Sequence, residues 1–192
     1  LCVLAFLGAG HTPRSNTQYS AVVDRAIESL LDVQGDSTAH FGDTSAYSHG
    51  IATYALAECL AISGDTRLRE PVQRAVTWIL ANQDTSRDRR NRGGWGYFSG
   101  TRSPEDGYAR TSVTVWQVMA LESSKLSGIA VDDEVLAAAR TFLRSMFDSR
   151  RGSFRYNHEP GRLNSNWPTL PASTPGVVFS LLLLGDDVDD AH

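Results

Sequence analysis

Apolar residues recur three and four positions apart in three long segments of the chain. Arg, Asp and Glu stand between them, so each segment has one apolar face and one polar face. This spacing predicts amphipathic α-helices that bury one side only. The segments are YSAVVDRAIESLLDVQ (19–34), RLREPVQRAVTWILANQ (67–83) and DDEVLAAARTFLRSMFD (132–148).

A second class of segments is apolar on nearly every side and begins with small residues, which predicts helices buried on most sides. These segments alternate with the amphipathic ones at intervals of roughly 60 residues, as in a repeated helical hairpin with a long loop. The alternation predicts an all-α fold with inner buried helices and outer amphipathic helices, an α/α toroid. The segments of this class are SHGIATYALAECLAI from 48, TSVTVWQVMALESS from 111 and STPGVVFSLLLL from 173, and the opening LCVLAFLGAGHTPR from 1 shares the repeat and is counted as a fourth inner helix.

Composition is that of an ordinary soluble domain, with 41% hydrophobic and 21% charged residues and a net charge of -4. This balance argues against nucleic acid as a partner. No apolar run reaches the roughly 18 residues of a membrane span. Both cysteines, Cys2 and Cys59, stand among apolar residues, and we expect them to be small buried side chains.

The segment AVTWILANQ…GGWGYF, residues 75–98, resembles the Q-W motif of squalene-hopene cyclases. AYSHGIATYALAECLAISGD, TSVTVWQVMALESSKLSGI and the opening LAFLGAGHTPR resemble bacterial prenyltransferase/squalene-oxidase repeat proteins. The resemblance covers nearly the whole chain and implies the α/α toroid of terpenoid cyclases and protein prenyltransferases. Because that fold carries several activities and also proteins of no assigned activity, it indicates little about chemistry.

The resemblance also implies structural roles. Gln83 would cap backbone groups at the end of an outer helix, and Trp95 would pack over a neighbouring hairpin. LDVQGDSTAHFG is a degraded second copy with Gln34 and Phe41, and SMFDSRRGSFRY keeps Phe154 without a Gln. Four inner and three outer helices are too few to close a toroid of this family. We therefore expect residues 1–192 to be a single repeat domain that forms an open arc, a fragment of a longer chain or an arc closed by a partner.

In the class II terpene cyclases that the chain resembles, a D-x-D-D acid lies at the start of an inner helix. Here the run from Asp187 to Asp190 follows an inner helix, which favours an acidic linker over a catalytic acid. Asp189 within it, Asp43 and Asp106 are the candidate acids. Arg110 stands where relatives carry an acidic residue directly before T-S-V-T, which argues against a proton donor at that place.

The start of each inner helix is the expected functional end, because its free N–H groups point into the cavity. His49 is either a ligand contact or a histidine bonded to a neighbouring loop carbonyl. Tyr47, Tyr54, Trp116 and Phe179 are either an aromatic lining or core. Cys59 is about 15 Å along one helix from His49, so the two cannot share an ion, and neither a metal nor a cofactor is expected. The candidate ligand contacts are Tyr47, His49, Arg110, Thr111 and Trp116.

These observations predict a repeat domain of unassigned activity that binds a ligand or a protein through a concave inner-helix cavity. The ligand would be an isoprenoid or another apolar small molecule, and the compartment the bacterial cytoplasm or envelope. The alternative is a squalene-hopene or class II terpene cyclase-like enzyme, an intramolecular transferase or isomerase that acts by proton-initiated cyclisation. A third hypothesis is an interaction arc in which Arg89, Arg90 and Arg92 contact an acidic partner.

Overall fold

The computed structural model describes residues 1–42, 45–97, 109–158 and 173–187. Within these ranges the chain is mostly helical, and the all-α prediction is confirmed. The helices are α1 (Cys2–Gly8), α2 (Ser20–Asp32), α3 (Ala46–Ser63), α4 (Arg69–Ala81), α5 (Thr111–Leu126), α6 (Asp133–Ser145) and α7 (Ser173–Leu183). A 3-10 turn (Thr66–Leu68) precedes α4, and strands β1 (Phe147–Asp148) and β2 (Ser153–Phe154) form an antiparallel pair.

The helices α2, α4 and α6 are the amphipathic ones, which we call outer-type helices for their residue pattern alone, and each is 13 residues long. Pro71 lies in the first turn of α4, where its missing N–H leaves no hydrogen bond unmade. Asp132 caps α6 by accepting a hydrogen bond of 2.9 Å from the backbone N–H of Glu134. Their buried stripes comprise Val23 and Ile27 in α2, Val72, Ala75, Val76 and Ile79 in α4, and Leu136, Ala139, Phe142 and Leu143 in α6.

The other four segments form α1, α3, α5 and α7, which we call inner-type helices for their residue pattern alone. Burial on most sides holds for α3, in which ten of 18 residues are buried. It does not hold for α7, because Phe179, Leu182 and Leu183 are 45%, 39% and 38% exposed. The expectation for the cysteines is correct for Cys59, which is buried, and wrong for Cys2, which is exposed near the beginning of α1.

A glycine with positive φ follows each of these four helices by one or two residues. In three of them the next residue donates its N–H to the carbonyl five positions back, which is the Schellman arrangement that ends a helix. These bonds run from His11 to Phe6, from Ile129 to Ser124 and from Asp186 to Leu181, and the glycines are Gly10, Gly64, Gly128 and Gly185.

The chain divides into two compact units. The first unit consists of Leu1–Ala81 and Ala120–Val131, and the second of Asn82–Met119 and Asp132–His192, so the division passes through α5. Fully buried side chains include Ile27, Phe41 and Leu56 in the first unit, and Trp95, Phe142 and Leu143 in the second. No helix in the described part of the chain combines the length and the apolar character that crossing a membrane requires.

Candidate functional site

Gln83 holds the loop that follows α4 against the start of α6. Its Nε2 donates to the carbonyl of Gly93 at 3.0 Å and to that of Val135 at 2.9 Å. These carbonyls belong to the loop and to the first turn of α6, not to the end of α4. Asp84 and Gly94 close the loop with a backbone hydrogen bond of 2.9 Å. One buried amide therefore fastens the loop after α4 to α6.

Trp95 holds the same loop against the start of α5. Its backbone N–H donates to Oγ1 of Thr114 at 3.1 Å, and its carbonyl accepts from the N–H of Arg110 at 2.9 Å. The side chain is only 1% exposed. We call Gln83, Trp95 and Thr114, with the loop that they hold, the second tie, because a similar network, described next, comes before it in the chain.

The first unit contains the same network, which we call the first tie. Nε2 of Gln34 donates to the carbonyls of Ala39 at 3.1 Å and Pro71 at 3.0 Å. The N–H of Phe41 donates to Nδ1 of His49 at 3.2 Å. The positions correspond: Pro71 and Val135 are each third in their helix, and His49 and Thr114 are each fourth.

A third tie lacks the glutamine. Phe147 occupies the glutamine position, two residues after α6, and pairs with Phe154 across the β1–β2 ladder. Gln34 forms the corresponding antiparallel bridge with Phe41. The N–H of Phe154 donates to Oγ1 of Thr174 in α7 at 3.2 Å. All three ties thus bond the backbone N–H of a buried aromatic residue to a polar side chain near the start of the next inner-type helix.

His49 uses both ring nitrogens in the first tie. Because Nδ1 accepts from Phe41, the proton of the neutral ring is on Nε2, which donates to the carbonyl of Ala75 at 3.0 Å. The side chain is fully buried and stacks on His40 with ring centroids 4.6 Å apart. Burial lowers the pKa of His49 to about 4, against the opposing effect of its bond to Ala75. His49 is therefore neutral at pH 7, with both nitrogens engaged by backbone groups.

The start of α5 brings Arg110 and Thr111 together with two tyrosines that the sequence interpretation did not single out. Oγ1 of Thr111 lies 3.1 Å from the carbonyls of Arg155 and Tyr156. The guanidinium of Arg110, a residue only 6% exposed, lies 5.7 Å from the ring centroid of Tyr97 and 5.6 Å from that of Tyr156. At these distances both rings attract the cation. The tyrosine hydroxyls are hydrogen-bonded to each other.

A sequence signal for these tyrosines exists in hindsight. Tyr97 follows Trp95 by two positions, and Tyr156 follows Phe154 by two positions. Each tyrosine therefore occupies the same place relative to the aromatic residue of a tie. An alignment of the loop segments Trp95–Tyr97 and Phe154–Tyr156, rather than of the helices, identifies Tyr97 and Tyr156.

The aromatic residues whose N–H groups hold the ties differ in exposure from four aromatic residues of the inner-type helices. Those of the ties are buried, with Phe41, Trp95 and Phe154 at 1%, 1% and 2%. Those on the inner-type helices keep part of their surface in water. Tyr47, Tyr54 and Trp116 are half-buried, and Phe179 is exposed.

The three candidate acids, Asp43, Asp106 and Asp189, lie outside the described residues. Of the terminal acidic run, Asp187 is described and exposed. Its neighbour Asp186 has a fully buried carboxylate that Arg140 and Arg144 of α6 hold in ion pairs. Burial acts to raise the pKa of Asp186, but the hydrogen bonds from these two arginines leave it below its ordinary value.

Asp65 is the counterpart of Asp186 after α3. Its carboxylate is fully buried and pairs with Arg67 at 2.7 Å and with Arg14 at 3.1 Å. The hydrogen bond from Arg67 lowers the pKa of Asp65 despite burial. Both carboxylates therefore stay ionised and serve to fix the exits of inner-type helices.

No three His, Cys, Asp or Glu side chains of the described ranges come together in a way that could hold a metal ion. Comparisons with protein-family models, with curated proteins and with solved structures found no match.

Proposed function

We propose that the chain is an arc of α/α-toroid hairpins of the squalene-cyclase-like, prenyltransferase-repeat type. In this proposal its inner helices bind an apolar small molecule of the isoprenoid class without transforming it. The observation that carries the proposal is the recurrence of the tie. The bond from a buried aromatic N–H to a polar side chain near the start of the next inner-type helix occurs three times, twice together with a glutamine, so these polar side chains serve to hold loops.

The chemistry of the buried titratable groups supports binding over catalysis. A general acid at neutral pH needs a raised pKa. The pKa values of Asp65 and Asp186 are lowered, because arginines hold both carboxylates. His49 has both nitrogens occupied by backbone partners. Among the described residues these three groups serve the fold.

The partly exposed aromatic residues support an apolar ligand. In the second unit, Trp116 and Phe179 keep surface in water, and α7 also exposes Leu182 and Leu183. A ligand that covers such surface gains about 25 cal/mol for each Å² removed from water. Arg110, beside Tyr97 and Tyr156, offers a polar group for one end of the ligand.

Native mass spectrometry of the chain after incubation with squalene and with farnesol tests the proposal. We expect a retained adduct on the wild type and its loss in Phe179→Ser. Tyr19→Ser is the matched control, because Tyr19 is comparably exposed at 38% but precedes the amphipathic helix α2. A wild-type chain that stays bare with both compounds would overturn the binding proposal.

Extraction of the bound compound tests the absence of turnover. We expect it to be recovered unchanged by gas chromatography and mass spectrometry. A cyclised isomer of squalene would instead establish the cyclase alternative. Asp43→Asn, Asp106→Asn and Asp189→Asn would then identify its acid.

A further inference from the structure

A pocket of about 570 Å³ lies in the second unit, between the loop after α4 and the outer-type helix α6. Among the described residues, two arginines of the loop and four small residues of α6 line it. Its volume falls in the range of small-molecule sites, roughly 300–1,000 Å³. The lining residues are Arg89, Arg92, Ala137, Ala138, Thr141 and Ser145.

The charge of the two lining arginines is not balanced by an ion pair with any described residue. The side chains of Arg89 and Arg92 are exposed and make no ion pair or hydrogen bond with any residue that the structure describes. Arg90, between them, is bound to Asp88 with an ion-pair distance of 2.8 Å. Arg90, which is paired in the described structure, is absent from the described lining, whereas Arg89 and Arg92 belong to it.

The loop that carries these arginines is held firmly. Gly93 has φ +91°, and a Cβ there would lie 2.2 Å from the carbonyl oxygen of Ala138, so the loop touches α6 backbone to backbone. Gln83 bonds the carbonyl of Gly93, and Oδ1 of Asn91 accepts from the N–H of Ala109 at 3.0 Å. A ligand would therefore have to order two side chains but not the backbone, which reduces the entropy cost of binding.

The α6 wall is mainly apolar towards a ligand. Ala137 and Ala138 contribute methyl groups. Thr141 donates its hydroxyl proton to the carbonyl of Ala137 at 2.9 Å, and Ser145 donates to that of Phe142 at 2.7 Å. Among the described lining residues, the hydrogen-bond donors for an anion are therefore the two guanidinium groups, and the organic part of a ligand would rest against the alanines.

We propose that this pocket binds a phosphate ester of a small organic molecule, with its phosphate on Arg89 and Arg92. Guanidinium groups match phosphate oxygens in paired hydrogen bonds. A phosphate monoester carries a charge of about −1.5 to −2 at pH 7, which balances two arginines, whereas a carboxylate balances only one. The pocket is also larger than a bare phosphate needs. The site is separate from the inner-helix ligand proposed above, so either proposal can fail alone.

Isothermal titration calorimetry at low salt with phenyl phosphate, inorganic phosphate and benzoate tests the site. We expect phenyl phosphate to bind more tightly than either of the other two. Arg89→Ala and Arg92→Ala should each weaken it by about tenfold or more, the loss typical of a charge-assisted hydrogen-bonded group. Arg89→Lys and Arg92→Lys should weaken it by less, because they keep charge but lose the paired geometry.

The control variant is Arg87→Ala/Arg150→Ala, which removes two exposed arginines outside the described lining. It should bind phenyl phosphate like the wild type, whereas Arg89→Ala/Arg92→Ala should abolish binding. Thermal melting should show all these variants folded, since the replaced side chains have no partner in the described structure. Ala137→Leu should weaken phenyl phosphate and leave inorganic phosphate unchanged, because it fills only the apolar side.

Three results would overturn the proposal. Unchanged binding in Arg89→Ala/Arg92→Ala would place the ligand elsewhere. Equal losses in that variant and in the control pair would indicate diffuse attraction to positive charge. Tighter binding of a glutamate-rich peptide than of phenyl phosphate would make the loop a protein-docking surface.

Discussion

The first and second ties hold loops of different length through the same pattern of hydrogen bonds. Six residues separate Gln34 from Phe41, and eleven separate Gln83 from Trp95. Both glutamines nevertheless bond a loop carbonyl and the third residue of the next outer-type helix. The ends of the loop are therefore fixed by the fold, and its middle is free to vary.

The two ties also differ in the side chain that accepts the aromatic N–H. It is a histidine in the first and a threonine in the second. Thr114 stands in the second tie where His49 stands in the first, and both accept the aromatic N–H. We therefore interpret His49 as a hydrogen-bond acceptor and not as a reactive group. A histidine near a helix start invites a catalytic interpretation, but comparison with the second tie gives it a structural one.

The longer loop of the second tie is where a new feature arises. It carries Arg89 and Arg92, which line the pocket on α6. The shorter loop of the first tie, residues 35–40, contains no arginine. Variation of a loop on a fixed scaffold is a common origin of binding sites.

The largest effect is expected from Gly93→Ala in the second tie. The new methyl group would meet the backbone of α6 and the residue would keep a strained positive φ, so we expect a loss of about 4 kcal/mol in the free energy of unfolding. Gly10→Ala is the control, since Gly10 has φ +83° but open space around it, and should lose only about 1 kcal/mol. Urea denaturation measures both, and equal losses would show that the contact with α6 does not matter.

His49→Leu and Thr114→Val compare the acceptors of the two ties directly. His49→Leu leaves the buried N–H of Phe41 without a partner and removes the second hydrogen bond of the Ala75 carbonyl, which keeps its helical bond within α4; the change should cost about 3 kcal/mol. Thr114→Val leaves only the N–H of Trp95 and should cost about 1.5 kcal/mol. Urea denaturation at pH 7 gives both values. A larger loss in Thr114→Val would reverse the comparison.

Only the first tie should make stability depend on pH near neutrality. The pKa of His49 is about 4 in the folded chain, below the ordinary 6.5, so the unfolded chain takes up a proton first on acidification. Stability should be full above pH 6.5 and fall towards pH 4 by up to roughly 3 kcal/mol. Urea unfolding between pH 7 and pH 4.5 measures the fall.

The effect of His49 on the pH dependence of stability can be separated from that of the other titrating groups. The lowered pKa values of Asp65 and Asp186 affect stability only at more acidic pH, below their ordinary range near 3.8. His158 also has a lowered pKa, through burial first and then Arg155. It is present in the wild type and in the variant His49→Gln, so comparing these two proteins separates its effect from that of His49. An equal slope of the free energy of unfolding against pH in the wild type and in His49→Gln would show that His49 is not the group responsible.

The smallest difference is expected between the glutamines. Gln83→Leu leaves the carbonyls of Gly93 and Val135 without their donor at a buried position and should cost about 2 kcal/mol. Gln34→Leu should cost about 1 kcal/mol, because Gln34 is only half-buried and water can replace its amide. Thermal melting of the two variants checks the order, and a greater loss from Gln34→Leu would contradict it.

The amphipathic helices could be predicted from the sequence because the spacing of their apolar residues indicates which side is buried. The three amphipathic segments became α2, α4 and α6, and the start of α6 directly after Asp132 follows from the capping carboxylate of that residue. The exposed face of α7 could not be predicted, because an all-apolar segment says nothing about how much of it is covered.

The candidate site was only partly predictable. Gln83 and Trp95 stood out by type and order, but their partners Val135 and Thr114 lie 52 and 19 positions away along the chain. Which backbone group lacks a partner depends on how the loop folds, and composition does not reveal it. Asp186 was passed over for the run beginning at Asp187, because only the fold shows that Arg140 and Arg144 reach it.

Amide hydrogen exchange by NMR at Phe41, Trp95 and Phe154 tests most directly the central claim, that one tie is repeated with different acceptors. All three N–H groups should be strongly protected in the wild type. His49→Leu should release Phe41 alone, Thr114→Val should release Trp95 alone, and Thr174→Val should release Phe154 alone. Protection that survives loss of the acceptor, or exchange that is fast in the wild type, would contradict the account.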